Sequence, residues 1–170
     1  NYIQLPKTRE QVSANLREVL DLICRENTKS TDIDQSLVAH RSQDTHRIKI
    51  EAIDFMLGYA DYILEDGAIS EKEAYDFAAL KRIFRIKEGE FLQYRAFEVR
   101  EILKKEFIRI YSDHFVDSKE ELQKVNLQAL FDLSYDQFED MKKDEVINAL
   151  LNGANPRDLD IAKLPKGFKL

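Results

Sequence analysis

The stretch Asp61-Tyr62-Ile63-Leu64-Glu65-Asp66-Gly67-Ala68-Ile69-Ser70-Glu71-Lys72-Glu73 decides how this chain folds. Upstream of it, Ile48, Ala52, Phe55, Met56, Tyr59, Ala60 and Ile63 recur at three and four residues, the stripe of an amphipathic helix. Gly67 then offers a left-handed stop. Ser70 and Glu73 form a capping box, in which the hydroxyl accepts the N3 amide while the carboxylate reaches back to the cap. Ile69 is placed to drop into the core as a staple. Beyond the box, Ala74, Phe77, Ala78 and Phe84 resume a helical stripe, with Leu80 off its main line. The stretch is a corner between two helices.

The same signals recur along the chain. Thr8 with Gln11, Ser118 with Glu121, and Ser134 with Gln137 match the capping box, and Asn155-Pro156 is an N-cap followed by proline at N1. Behind Thr8 runs the stripe Val12, Leu16, Val19, Leu20 and Ile23. Residues 87–111 read as the longest helix, with Phe91, Tyr94, Phe97, Ile102, Phe107, Ile110 and Tyr111. Helices over 118–132 (Leu122, Val125, Leu130, Phe131) and 134–151 (Phe138, Met141, Val146, Leu150) follow. Residues 32–40 are expected to add a turn or two, and Arg41-Ser42-Gln43-Asp44 to form a surface loop. The one strand-like alternation, Arg47 to Glu51, is too short to count. The reading is an all-α chain, a single bundle of six to seven helices over 1–170. Within it, 1–45 is an N-terminal helix and loop, 46–152 the helical core, and 153–170 a C-terminal arm carrying Leu159, Ile161, Leu164 and Phe168.

Composition agrees. A length of 170 residues suits one domain with a core large enough to need no disulfide. A hydrophobic content of 44% excludes a disordered chain, and 5 Gly with 3 Pro leave few turns for a many-stranded β fold. Cys24 is the single cysteine and reads as a buried, inert thiol; its solitude fits a reducing compartment and a cytoplasmic location. No run reaches the roughly 18 apolar residues of a membrane span. The start at Asn1 reads as a processed or trimmed one. The net charge of −6 is segregated: 61–80 carries −5, 81–112 carries +4 and 113–148 carries −6. Bases in 81–112 alternate with acids, so a solvated face paired with its neighbours is favoured over a nucleic-acid tract.

Two readings compete for the chemistry of the acidic corner. A calcium-binding EF-hand needs oxygen ligands at loop positions 1 and 3, which are Tyr62 and Leu64 here, so that motif is rejected. Asp61 and Glu65 share a helix face, and with Asp66 they bring three carboxylates near the positive N-terminus of the following helix. Either a hard cation, Ca²⁺ or Mg²⁺, gathers these oxygens, or the acids are solvated and cap the helix. The second is favoured. The first names Asp61, Glu65, Asp66 and Glu73 as metal ligands, with Asp113, His114 and Asp117 as a weaker set.

The run Ala60…Asp66-Gly67-Ala68-Ile69-Ser70…Glu73, continued by Leu80, Phe84 and Ile86, resembles the tellurite-resistance TerB-like family over about residues 50–112. In that all-helical family a D-G-x-I-S-x-x-E corner joins two core helices. Asp66 and Glu73 match the motif. Val116-Asp117-Ser118…Glu121 looks like a second copy, with Asp113-His114-Phe115 in the turn and no glycine before the cap. The resemblance implies a metal-linked accessory or adaptor domain of bacterial stress-response operons, or a module in a larger chain, and a protein partner. The function expected is therefore a non-catalytic helical interaction domain. The alternative is a metal-dependent hydrolase with Asp61, Glu65 and Asp66 opposite Asp113 or His114, and a nucleic-acid adaptor using 81–112 ranks third. No catalytic residue is assigned. P-loop, zincin, dinucleotide-binding and nucleophile-elbow motifs are absent, and the three histidines are scattered. The aromatic series Phe91, Tyr94, Phe97, Phe107, Tyr111 and Phe115 reads as core.

Overall fold

The computed structural model describes residues 12–161 and 164–165, with side chains given outside 40–45. Among these residues the chain forms six α-helices and no strand: α1 (Ala14–Ile23), α2 (Ser30–Ile63), α3 (Glu71–Ile83), α4 (Glu90–Ile110), α5 (Ser118–Leu130) and α6 (Tyr135–Leu151), followed by a 3-10 turn at Pro156–Leu159. The all-α bundle is the one expected. α1 lies along α2, α2 packs on α3 and α4, α4 on α6, and α3 on α5. Buried residues from Leu16 to Leu159 join in one core.

Four elements meet on a single aromatic ring. Phe77 of α3 stacks on Tyr59 of α2 and on Phe91 of α4, both at 6.1 Å between centroids, and meets Phe131 at the end of α5 edge-on at 6.3 Å. Phe91 and Phe131 close the group edge-on at 5.6 Å. Offset and edge-on geometries match the ring quadrupoles, so this cluster stabilises beyond its buried area.

Several boundaries differ from expectation. α2 is continuous for 34 residues and is the longest helix, so the expected loop at 41–44 and the boundary at 45 both fall inside it. Those positions hold neither Pro nor Gly, and extending a helix costs little without a breaker. Helix 87–111 starts only at Gly89, which caps α4 with φ 81°, and Arg95 breaks its regularity with φ −144° and ψ 46°. The Arg95 guanidinium grips both carboxylate oxygens of Asp54, at 2.5 and 2.8 Å. At the kink, one bidentate pair ties α4 to α2. α1 is capped by Ser13; the expected box at Thr8 and Gln11 lies outside the described residues, as does Phe168. Cys24 is only partly buried, at the end of α1. In the aromatic series Phe97 and Phe115 are exposed rather than core.

Because four elements share Phe77, Phe77→Ala is expected to lower unfolding stability by about 3–5 kcal/mol. Urea denaturation followed by circular dichroism measures it.

Candidate functional site

The corner at 61–73 is built as its residues dictate. Gly67 takes φ 80° and its N–H returns to Leu64 O at 3.0 Å, ending α2. Asp66 Oδ1 accepts the Ala68 N–H at 3.1 Å. Glu73 Oε2 accepts both the Ser70 N–H at 2.9 Å and the Ser70 hydroxyl at 2.6 Å, while Ser70 Oγ accepts the Glu73 N–H at 3.3 Å. The buried Ile69 N–H donates to Gln123 Oε1 of α5 at 3.1 Å. Cations from α4 complete the corner. Arg109 Nη1 donates to Leu64 O at 3.0 Å and lies 3.3 Å from the Glu106 carboxylate, and Lys105 Nζ reaches Asp61 Oδ1 at 3.2 Å. Glu65 is exposed. Of the four named acids, then, Asp61 is ion-paired, Asp66 and Glu73 hold backbone amides, and Glu65 faces solvent.

The second corner repeats the first 47 positions on, one residue earlier than the sequence suggested. Its cap is Asp117 with Glu120, not Ser118 with Glu121. His114 stands where Gly67 does, with φ 65°, and its N–H returns to Tyr111 O at 3.3 Å. Asp113 Oδ1 accepts the Phe115 N–H at 3.0 Å, as Asp66 does for Ala68. Glu120 Oε2 accepts the Asp117 N–H at 2.9 Å, as Glu73 does for Ser70. The correspondence runs on. α3 and α5 both have 13 residues, and each ends in a left-handed non-glycine residue, Arg85 and Asp132, both at φ 52°. Phe91 matches Phe138, and Val99 matches Val146. The α2–α3–α4 unit is thus repeated as α4–α5–α6. Asp113 and Asp117 hold backbone amides in this copy, and His114 serves the turn. Among the described residues, no three His, Cys, Asp or Glu side chains gather as a metal cage.

No family model, no curated protein and no solved structure matches this chain.

The feature that sequence reading missed is α5. Its expected core residues Leu122 and Val125 are 60% and 62% exposed, while Gln123 and Lys124 are buried. The phase of α5 follows from the Asp117 cap and from Leu127 and Leu130, which are buried. Gln123 Oε1 accepts the Ile69 N–H, while its buried Nε2 makes no hydrogen bond among the described residues, and Lys124 Nζ meets Asp160 Oδ2 at 2.5 Å. The outer face carries Leu122, Val125 and Ala129, at three- and four-residue spacing. An open groove of about 620 Å³ beside it is lined by Ala78 and Arg82 of α3 and by Val125 and Ala129 of α5. A second, of about 580 Å³, lies towards α6.

Glu106 is a buried carboxylate beside the first corner. It is 3% exposed, and burial pushes its carboxyl above the usual range while Arg109 and Gln123 pull it down and Asp61 pushes it up. A raised folded-state pKa means that the native state binds more protons than the unfolded chain above about pH 4.5, the ordinary value. That contribution is complete below the unfolded pKa and is lost as pH rises through the folded one.

Glu106→Gln should therefore gain stability relative to wild type as pH is raised from 4 to 7, read from urea midpoints at each pH. Gly67→Ala should be strongly destabilising. A Cβ there would sit 2.6 Å from Arg109 Nη1, and the left-handed backbone alone adds about 1–3 kcal/mol of strain. Thermal denaturation checks it.

Proposed function

We propose that this chain is a non-catalytic helical interaction domain of TerB-like type, which docks a protein through the outer face of α5. The observation that carries the reading is the inverted helix: two large aliphatic side chains face solvent while a glutamine and a lysine are buried beneath them. Burying Leu122 and Val125 against a partner removes apolar area from water at about 25 cal/mol per Å². A row of apolar side chains at helical spacing beside an open groove is a shape that partner segments fit. Tyr135, 56% exposed at the start of α6, extends the same surface. Among the described residues no helix is long and apolar enough to cross a membrane. The single cysteine suits work in a reducing, cytoplasmic compartment.

The acidic corners support the same reading. The carboxylates of Asp66, Glu73, Asp113, Asp117 and Glu120 hold backbone amides, and the positive charge at the first corner comes from Arg109 and Lys105. These interactions favour a structural role for the acids over a divalent-cation site.

Calorimetric titration of metal-stripped protein with Ca²⁺ and Mg²⁺ is expected to show no micromolar binding. Micromolar binding that an Asp66→Asn, Glu73→Gln variant loses would instead make the corner a cation site. The docking face is tested with a photo-crosslinking amino acid at position 129, on the apolar row, and at 104, an exposed position on α4. A discrete adduct is expected at 129 alone, and Leu122→Ser with Val125→Ser should abolish it without moving the thermal midpoint by more than a few degrees. Equal adducts at both positions would sink the proposal.

A further inference from the structure

The duplicated unit shows where the molecule departs from its own plan. Position 124 corresponds to Phe77, the hub of the first unit, and position 106 to Tyr59, which stacks on that hub. In the second unit these places hold Lys124 and Glu106. Phe131, at the end of α5, seals the hub of the first unit. Over the second unit lies a groove of about 580 Å³, with the segment Pro156 to Ile161 along one wall. Its lining includes Lys124 and Lys142, whose side chains are only 7% and 6% exposed, together with Phe138, Val125 and Tyr135. A strap stands where the first unit has a helix end.

Two lysines this deeply buried need acceptors, because an uncompensated buried ammonium is expensive. Lys142 donates to Glu139 at 2.6 Å, within α6. Lys124 is answered from the strap: Asp160 supplies a carboxylate oxygen at 2.5 Å and its main-chain oxygen at 3.3 Å. Asp160 adopts this pose in a left-handed conformation, φ 45°, and remains half exposed. The strap is anchored one step earlier, by the fully buried Leu159 and by the Val116 N–H on Asp158 O at 2.7 Å. Asp160 and the partly buried Ile161 lie beyond this anchor, so the anchor does not depend on the Lys124 pair.

We propose that this groove is a docking site for an acidic–apolar peptide segment of a protein partner, whose carboxylate replaces that of Asp160 on Lys124. The proposal rests on the interaction reading above and names the chemistry that the surface selects. The strap itself displays the pattern that fits, an aspartate followed by an aliphatic residue, Asp160 and Ile161, both of which line the groove. Exchange of one carboxylate for another leaves the buried charge balanced, so the ligand need not meet the cost of stripping an unpaired lysine. The exposed Val125 and Tyr135 at the rim supply the apolar contact that Asp160 alone does not use. Tethering sets the in-cis competitor at a high effective concentration, so the resting site is closed to weak ligands.

The test uses the full chain and the blocked tetrapeptide acetyl-Asp-Leu-Asp-Ile-amide as probe, followed by backbone amide NMR shifts at Lys124 and Val125. Wild type is expected to bind it weakly, Asp160→Asn at least ten-fold more tightly, and Lys124→Met not at all. The same peptide with Asn for its second Asp should bind none of them. Equal affinity for wild type and Asp160→Asn overturns the proposal, as does binding that survives Lys124→Met. Dimerisation of Asp160→Asn by light scattering also overturns it, in favour of strap exchange between two copies. Should Lys124→Met fail to fold, Lys124→Gln, which keeps a polar end but no charge, replaces it, with at least ten-fold weakened binding expected and unchanged affinity counting against the site. A failed peptide titration alongside a persistent adduct at position 129 would refute the carboxylate site and leave the interaction reading standing.

Discussion

Everything in this fold leans on one buried ring. Phe77 brings α2, α3, α4 and the end of α5 to a common point, and each neighbour meets it through an aromatic face or edge. A close-packed interior transmits any change in shape, so a ring of α3 in contact with three neighbouring elements constrains the angles at which they meet. The corner at 61–73 follows from that placement. With α2 and α3 both held on the ring, the chain between them must turn sharply, and Gly67 and the Ser70–Glu73 box are the residues that turn it at least cost.

The second unit keeps the turn and changes the centre. Its corner reproduces the hydrogen bonds of the first without the glycine, using His114 in the left-handed region. Its centre holds Lys124 instead of an aromatic ring, and a salt bridge to a strap where the first unit has an aromatic contact. On its outer face Leu122 is as exposed as its counterpart Tyr75, and Val125 stands where the first unit has Ala78. α5 buries Gln123 and Lys124 beside Leu127 and Leu130, and leaves Leu122 and Val125 in solvent.

Much of the fold was legible because helix boundaries here are marked by local chemistry. Ser70 with Glu73, Ser134 with Gln137, and Asn155 before Pro156 each cap where they were expected to. Legibility failed where two local signals overlapped or none existed. At 117–121 two acids follow two candidate caps, and either register satisfies the pattern; docking of Val116 against the strap selects Asp117. On α5 an apolar stripe existed but pointed outward, because two distant groups meet the other face: the Ile69 N–H, which donates to Gln123, and Asp160, which accepts from Lys124. The acids at the first corner were visible as a group, whereas Lys105, which pairs with Asp61, and Arg109, which holds the Leu64 carbonyl, lie more than 40 residues beyond those partners and were invisible as members of the corner. Sequence proximity reveals which charges are crowded, and only the fold reveals what answers them.

The sharing of α4 has a consequence for cooperativity. This helix is the last member of one unit and the first of the next, so neither unit can lose it alone. Stacked repeats are coupled through their interfaces, and here the interface is a whole helix with Phe91 at one end and Phe107 at the other. Melting either unit strips the other of a wall of its core. Over the described helices α2 to α6, the two units stand or fall together.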